Sequence, residues 1–163
     1  MKKVYYNWSQ VEGACLEIAR QMSEHQWRPD YIVGITRGGL VPANLLSQYT
    51  GIKMYTLNVS LRDGDGGESN CWMAEDAFDN KKILIVDDIN DSGATINWIK
   101  KDWQSSCLPD SPEWNHIWGD NVRFAVLTQN WSSNFRDIDY YAFQVNKREE
   151  DCWLVYPWEE FWK

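Results

Sequence analysis

Histidine and cysteine are scarce in this chain of 163 residues, and neither is arranged for metal or covalent chemistry. The two histidines, His25 and His116, fall at a helix end and in a loop, without metal-like neighbours. Cys15, Cys71, Cys107 and Cys152 are scattered, which fits neither a zinc spacing nor a dense disulfide framework. No apolar run reaches the length of a membrane span. The start, Met1 to Asn7, is basic but has no apolar run behind it, so it does not read as a secretory signal, and a cytoplasmic home is expected. Also missing are a Gly-x-x-x-x-Gly-Lys-Ser/Thr loop, a Gly-x-Gly-x-x-Gly after a strand, and a His-Glu-x-x-His pair. Positive charge is short as well: 16 Lys and Arg against 24 Asp and Glu give a net charge of -8. That balance excludes a broad basic surface for gripping nucleic acid. An anionic ligand would have to be attracted by local devices: helix amino termini, backbone N–H groups, a few cations or a bound metal.

What remains is a globular composition, 44% hydrophobic and 25% charged, of a length that suits a single domain over residues 1–163. Ser9-Gln10-Val11-Glu12 has the form of a capping box, followed by Val11, Cys15, Ile18 and Met22 at helical spacing. Tyr31 to Thr36 is a buried strand entering a turn at Arg37-Gly38-Gly39, and a helix follows over Leu40 to Tyr49. Ile52 to Val59 reads as a strand, and the glycine-rich stretch Ser60 to Asn70 as a flexible, lid-like loop. Lys82 to Val86 is apolar without alternation, as central strands of parallel sheets are, and a helix is expected from Ala94 to Gln104. Ser105 to Asn121 is loop-like, Val122 to Leu127 and Tyr140 to Val145 are strands, and Trp153 to Trp162 is an aromatic tail. The order implies an α/β fold with a mostly parallel central sheet flanked by helices, whose ligands bind at the carboxyl ends of the strands.

The segment Val86-Asp87-Asp88-Ile89-Asn90-Asp91-Ser92-Gly93-Ala94-Thr95 carries the most chemistry. Backbone N–H groups of Ser92 to Thr95, at a helix start, can cradle a phosphate, and the hydroxyls of Ser92 and Thr95 add donors. Gly93 lets a phosphate approach the backbone. Adjacent aspartates on a strand point to opposite faces, so Asp87 and Asp88 must divide their labour: one faces a sugar diol and its magnesium, the other supports the site from behind. Asp91, in the turn, can reach a reacting centre.

The ten residues from Val86 to Thr95 resemble the phosphoribosyl-pyrophosphate signature of the type I phosphoribosyltransferases, most like the xanthine–guanine and other 6-oxopurine enzymes. The resemblance extends over nearly the whole chain. It implies transfer of a 5-phosphoribosyl group from its pyrophosphate donor to a purine base, with Mg2+ near Asp88 and Asp91 as the catalytic residue beside the base. Donor binding would fall to Asp87, Asp88, Asp91, Ser92, Gly93, Ala94 and Thr95. Ile35 to Pro42 is similar to the family's pyrophosphate loop, which implies a cis peptide at Thr36-Arg37 and pyrophosphate contacts from Thr36, Arg37 and Gly38. Ser60 falls where the family's lid opens; the next residue is Leu61 where the family has Tyr, with Arg62 as a candidate substitute. Asp151 to Glu159 resembles the base-binding segment, giving Trp153 and Leu154 that role in a small C-terminal hood. Asn130 stands where the 6-oxopurine enzymes have a lysine facing the purine oxygen, and its amide could face an oxo or an amino group. Family members often pair, so a homo-oligomer is a further expectation, with neither nucleic acid nor membrane as partner. The rival reading is a non-catalytic nucleotide sensor of the same fold.

Overall fold

Asn7, not Ser9, opens the first helix in the computed structural model, which describes residues 1–61 and 66–162. Asn7 is extended, its side chain accepts the Gln10 N–H at 2.8 Å, and the Gln10 side chain accepts the Asn7 N–H at 2.8 Å. This is a complete capping box two residues before the expected one, and both of its residues are the preferred types for it. Helix α1 (Trp8–Glu24) then buries Val11, Ala14, Cys15, Ile18 and Met22 along one stripe.

Five further strands and two further helices stand where the sequence placed them. β2 (Tyr31–Thr36) and β7 (Tyr140–Val145) have the expected ends, while α2 (Leu40–Thr50), β3 (Met54–Ser60), β5 (Ile83–Asn90), α4 (Ala94–Ser106) and β6 (Val122–Asn130) follow the expectation with shifted ends. β1 (Lys2–Tyr5), the short β4 (Gly66–Gly67), α3 (Cys71–Phe78) and β8 (Cys152–Val155) were not expected. Asn70 caps α3 by accepting the Met73 N–H at 2.9 Å, so the glycine-rich stretch ends in a helix. The supposed loop after α4 contains a 3-10 turn over Pro112–His116. That segment is held by the buried rings of Trp103 and Trp114 against Trp118.

The main sheet runs β4-β3-β2-β5-β6-β7, parallel throughout except for the β3–β4 pair. Alternation along β5 sorts the two cores. Leu84 and Val86 face α1 and α2 together with Ile32, Ala125 and Leu127. Ile83 and Ile85 face α3 and α4 with Val33, Ile35 and Phe124. Separately, β1 pairs with β8 in parallel, and this small hood packs on the first core through Cys152, Leu154 and Tyr156. All parallel strands therefore open their carboxyl ends on the side that the hood overhangs.

Candidate active site

The carboxyl ends of β2, β3 and β5 and the start of α4 meet the hood across a cleft of about 1420 Å³. It is lined by Thr36, Arg37, Gly38, Ser60, Leu61, every residue from Asp87 to Ile96, and Trp153 and Leu154. Every described residue given a donor, pyrophosphate or base role from the sequence thus lines this cleft except Asn130. Arg62 lies outside the described residues.

The aspartate pair divides as alternation requires, because β5 continues through it to Asn90 and pairs Asp87 with Val126 and Ile89 with Thr128. Asp87 shares the face of Ile83 and Ile85 and borders, besides the cleft, a small apolar pocket of about 10 Å³ beside Ile35, Ile96 and Phe124. Burial raises its carboxyl well above the usual range, the neighbouring Asp88 carboxylate adds to this, and the Asp88 N–H donated at 2.8 Å opposes it. Asp88 looks the other way, towards Gly38: a Cβ there would lie 2.5 Å from Asp88 Oδ2. The backbone of Asp88 is fixed from the hood, since the Tyr156 hydroxyl donates to its carbonyl at 3.1 Å and shares a 2.8 Å hydrogen bond with the Thr128 hydroxyl.

Gly93 turns the chain from β5 into α4 at φ +89°, with Phe135 N only 2.7 Å from where a Cβ would sit. No side chain caps α4 at Gly93, while Ser92 Oγ accepts the Ala94 N–H at 3.2 Å. The result is a helix amino terminus open to the cleft, suited to an anion. Behind it, buried Asn90 clamps the turn by donating to Gln129 Oε1 (2.8 Å) and the Phe135 carbonyl (2.6 Å) and accepting from Ser133 Oγ (3.0 Å). Across the cleft, the Thr36–Arg37 peptide bond is cis, as the family resemblance implied. Gly39 and Leu40 fold this turn back through hydrogen bonds to the carbonyls of Ile35 (2.7 Å) and Arg37 (3.0 Å).

Asn130 departs from its expected role. It is 3% exposed, and its amide is spent on protein: Nδ2 donates to the Asp91 carbonyl at 2.8 Å and Oδ1 at 3.3 Å. Its own oxygen accepts from Ser132 N, Ser132 Oγ and Lys147 N at 3.2, 3.0 and 3.0 Å. An amide committed on both sides has no capacity left to read a base edge. A cleft residue that the sequence reading did not single out is Lys147, whose ammonium is 3.0 Å from Asp91 Oδ1 and 5.3 Å from the centroid of the Trp153 ring. Its position just past the carboxyl end of a parallel strand was the available signal.

This geometry has counterparts. Residues 2–153 match the model of the phosphoribosyl transferase domain. The chain belongs to that family. It is 32% identical over 160 residues to the xanthine-guanine phosphoribosyltransferase of Vibrio parahaemolyticus, covering 97% of this chain and 90% of that protein. Over 186 residues it is 24% identical to the hypoxanthine-guanine phosphoribosyltransferase of Schizosaccharomyces pombe, covering 96% and 89%. Among solved structures, the purine phosphoribosyltransferase of Pyrococcus horikoshii superposes with a TM-score of 0.69 at 27% identity, covering 99% of this chain and 97% of that one.

Proposed function

We propose that this chain, as one domain over residues 1–163, transfers the 5-phosphoribosyl group from phosphoribosyl pyrophosphate to a purine base and releases pyrophosphate. The observation that carries the reading is that one cleft holds the open amino terminus of α4, the paired aspartates, the Thr36–Gly38 turn and Trp153. In the reaction the bond from ribose C1 to the pyrophosphate oxygen breaks and a bond from C1 to a base nitrogen forms. The nitrogen gives up its proton. Asp91, in the turn between donor and base sides, accepts that proton or stabilises the positive charge that develops on the ribose. The donor's 5-phosphate docks on Ser92, Gly93, Ala94 and Thr95, and the leaving pyrophosphate on Thr36, Arg37, Gly38 and Ser60. The remaining contribution is orientation of two substrates in one cleft.

Asp88 fits the part of magnesium holder. Its carboxylate is a hard oxygen donor, and a glycine rather than a side chain stands opposite it. The ion, once bound with the donor, would neutralise charge on the ribose hydroxyls and pyrophosphate. Four unpaired thiols fit a reducing, cytoplasmic setting, and pairing of two chains is proposed on the family likeness. No helix among the described residues is long and apolar enough to cross a membrane.

The test is pyrophosphate release from the donor with Mg2+ across guanine, xanthine, hypoxanthine, adenine, uracil and orotate. Base-dependent release with a purine supports the transferase. Donor binding without turnover on any base would replace it with a nucleotide sensor.

A further inference from the structure

The turn that leads into α4 is supported from outside its own motif. Residues 130–135, at and just past the end of β6, contact every position from Asn90 to Gly93. Asn130 Nδ2 donates to the Asp91 carbonyl at 2.8 Å, and the Asn134 N–H donates to the Ser92 carbonyl at 2.9 Å. Gly93 lies so close that a Cβ there would be 2.7 Å from Phe135 N and 2.9 Å from Ser133 Oγ. Asn90 is tied by its side chain, which donates to the Phe135 carbonyl at 2.6 Å and accepts from Ser133 Oγ at 3.0 Å. The Ser133 oxygen in turn accepts the Phe135 N–H at 3.1 Å. These bonds engage carbonyls and side chains of the turn, and none of them uses an N–H at the start of α4.

Structural need alone does not explain the network. Asn90, Ser133 and Gln129 are 3%, 2% and 0% exposed. Asn90 donates to Gln129 Oε1 at 2.8 Å, yet Gln129 Nε2 has no hydrogen-bond partner among the described residues. An apolar cluster of the same volume would avoid that unpaired donor and hold the segments together as well. What the amide and the hydroxyl add is direction. Hydrogen bonds weaken steeply with angle, so they fix a turn that packing alone would let slide. A phosphate cradle made of backbone N–H groups depends on this, because its donors move only when the turn moves.

We propose that Asn90 and Ser133 are positioning residues for the donor's 5-phosphate: they hold the turn before α4 so that the helix start binds a sugar 5-phosphate without help from magnesium or pyrophosphate. This rests on the transferase reading and names what shapes its phosphate subsite.

The experiment titrates ribose 5-phosphate in the presence of a chelator, and separately magnesium pyrophosphate, into the full chain, Asn90→Leu and Ser133→Ala, with thermal melts and donor kinetics beside them. Wild type should bind ribose 5-phosphate despite the chelator. Asn90→Leu should weaken that binding by about tenfold or more, as misplacement of a binding group does. Ser133→Ala should weaken it by about three- to tenfold, the range of one hydrogen bond. Magnesium pyrophosphate, bound across the cleft, should keep its affinity within about twofold, and the KM of the donor should rise more than kcat falls. Adding Ser133→Ala to Asn90→Leu should cost little further affinity, because the hydroxyl acts through the amide. Equal weakening of both ligands shows a merely structural role and overturns the proposal, as does unchanged ribose 5-phosphate affinity in folded variants. If neither variant folds, wild type decides: binding in chelator supports the proposal and a magnesium requirement overturns it. A wild type that binds ribose 5-phosphate in chelator but turns over no base leaves the proposal standing and removes the transferase.

Discussion

Gly38 and Gly39 are neighbours in the turn after β2, yet an added methyl group should act differently at each. At Gly39 a Cβ would lie 2.2 Å from the Val86 carbonyl oxygen, 2.8 Å from the Ile35 oxygen and 2.9 Å from the Ile35 nitrogen. These are backbone atoms of β2 and β5, which are paired through Gly34 and Val86. Carbon–oxygen contacts are ordinarily about 3.3 Å or longer, so the Val86 contact is short by roughly 1 Å. Neither strand can yield without opening the ladder. Overpacking of this kind costs about 3 kcal/mol, the upper end of its usual range. For a chain of this size that lowers the melting midpoint by about 6–12 °C. At Gly38 the Cβ would instead meet Asp88 Oδ2, Cγ and Oδ1 at 2.5, 2.6 and 2.7 Å. A carboxylate can rotate away for about 1 kcal/mol. Displacing it from the cleft should nevertheless lower turnover by about a hundredfold, as misplacement of a positioning group does. Thermal melts and steady-state turnover of Gly38→Ala and Gly39→Ala check both halves. A Gly39→Ala midpoint within about 2 °C of wild type would refute the packing argument. A fully active Gly38→Ala would refute the placing of Asp88 in the reaction.

Asp91→Asn should lower turnover by about 10²–10⁴-fold with a wild-type melting curve, and unchanged turnover would remove Asp91 from the reaction. Tyr156→Phe strips the hydroxyl that ties the hood to Asp88 and Thr128, and should cost about 1–3 kcal/mol in chemical denaturation because buried acceptors lose their partner. Full stability would mean that the Asp88 carbonyl is held by other bonds. Asp87→Asn should stabilise the protein at neutral pH by on the order of 1 kcal/mol. The sign follows from linkage: the folded carboxyl titrates above its unfolded value of about 3.9, so stability declines as pH rises from there and stays reduced beyond the folded value. The advantage of the amide should vanish below about pH 4, and a constant advantage across the range would contradict the raised carboxyl.

Much of this arrangement could be read from local pattern. β7 has the expected ends, and α2 differs by one residue, because apolar runs and turn residues bound them tightly. β5 runs four residues further than its apolar stretch, since its ladder with β6 continues through Ile89–Thr128 and Asn90–Gln129 after hydrophobicity stops. β1 and β8 were not legible for a different reason. Each has four residues and exists because the other, at the far end of the chain, pairs with it. Asn130 shows the limit for side chains. An amide's donor and acceptor are visible in the sequence, but their commitment to Asp91, Ser132 and Lys147 depends on where three separate segments end.

The charge of the cleft bears on how metal arrives. Its described lining includes Asp87, Asp88, Asp91, Glu159 and Glu160 against Arg37 and Lys147, an adverse field for a donor rich in phosphate. Yet no group of three or more His, Cys, Asp or Glu among the described residues is arranged to hold a metal. A magnesium ion takes an octahedral shell and is commonly held through one or two carboxylates plus substrate oxygens. The ion should therefore arrive with the donor rather than reside in the protein. Chelation should weaken donor binding by about tenfold or more, the scale of one uncompensated charge contact near a protein surface. It should not move the melting midpoint of the protein without donor. Calorimetric titration of the donor with and without a chelator, beside melts of the free protein in the same buffers, separates the two. A midpoint that rises with magnesium alone would show a resident site and refute the argument.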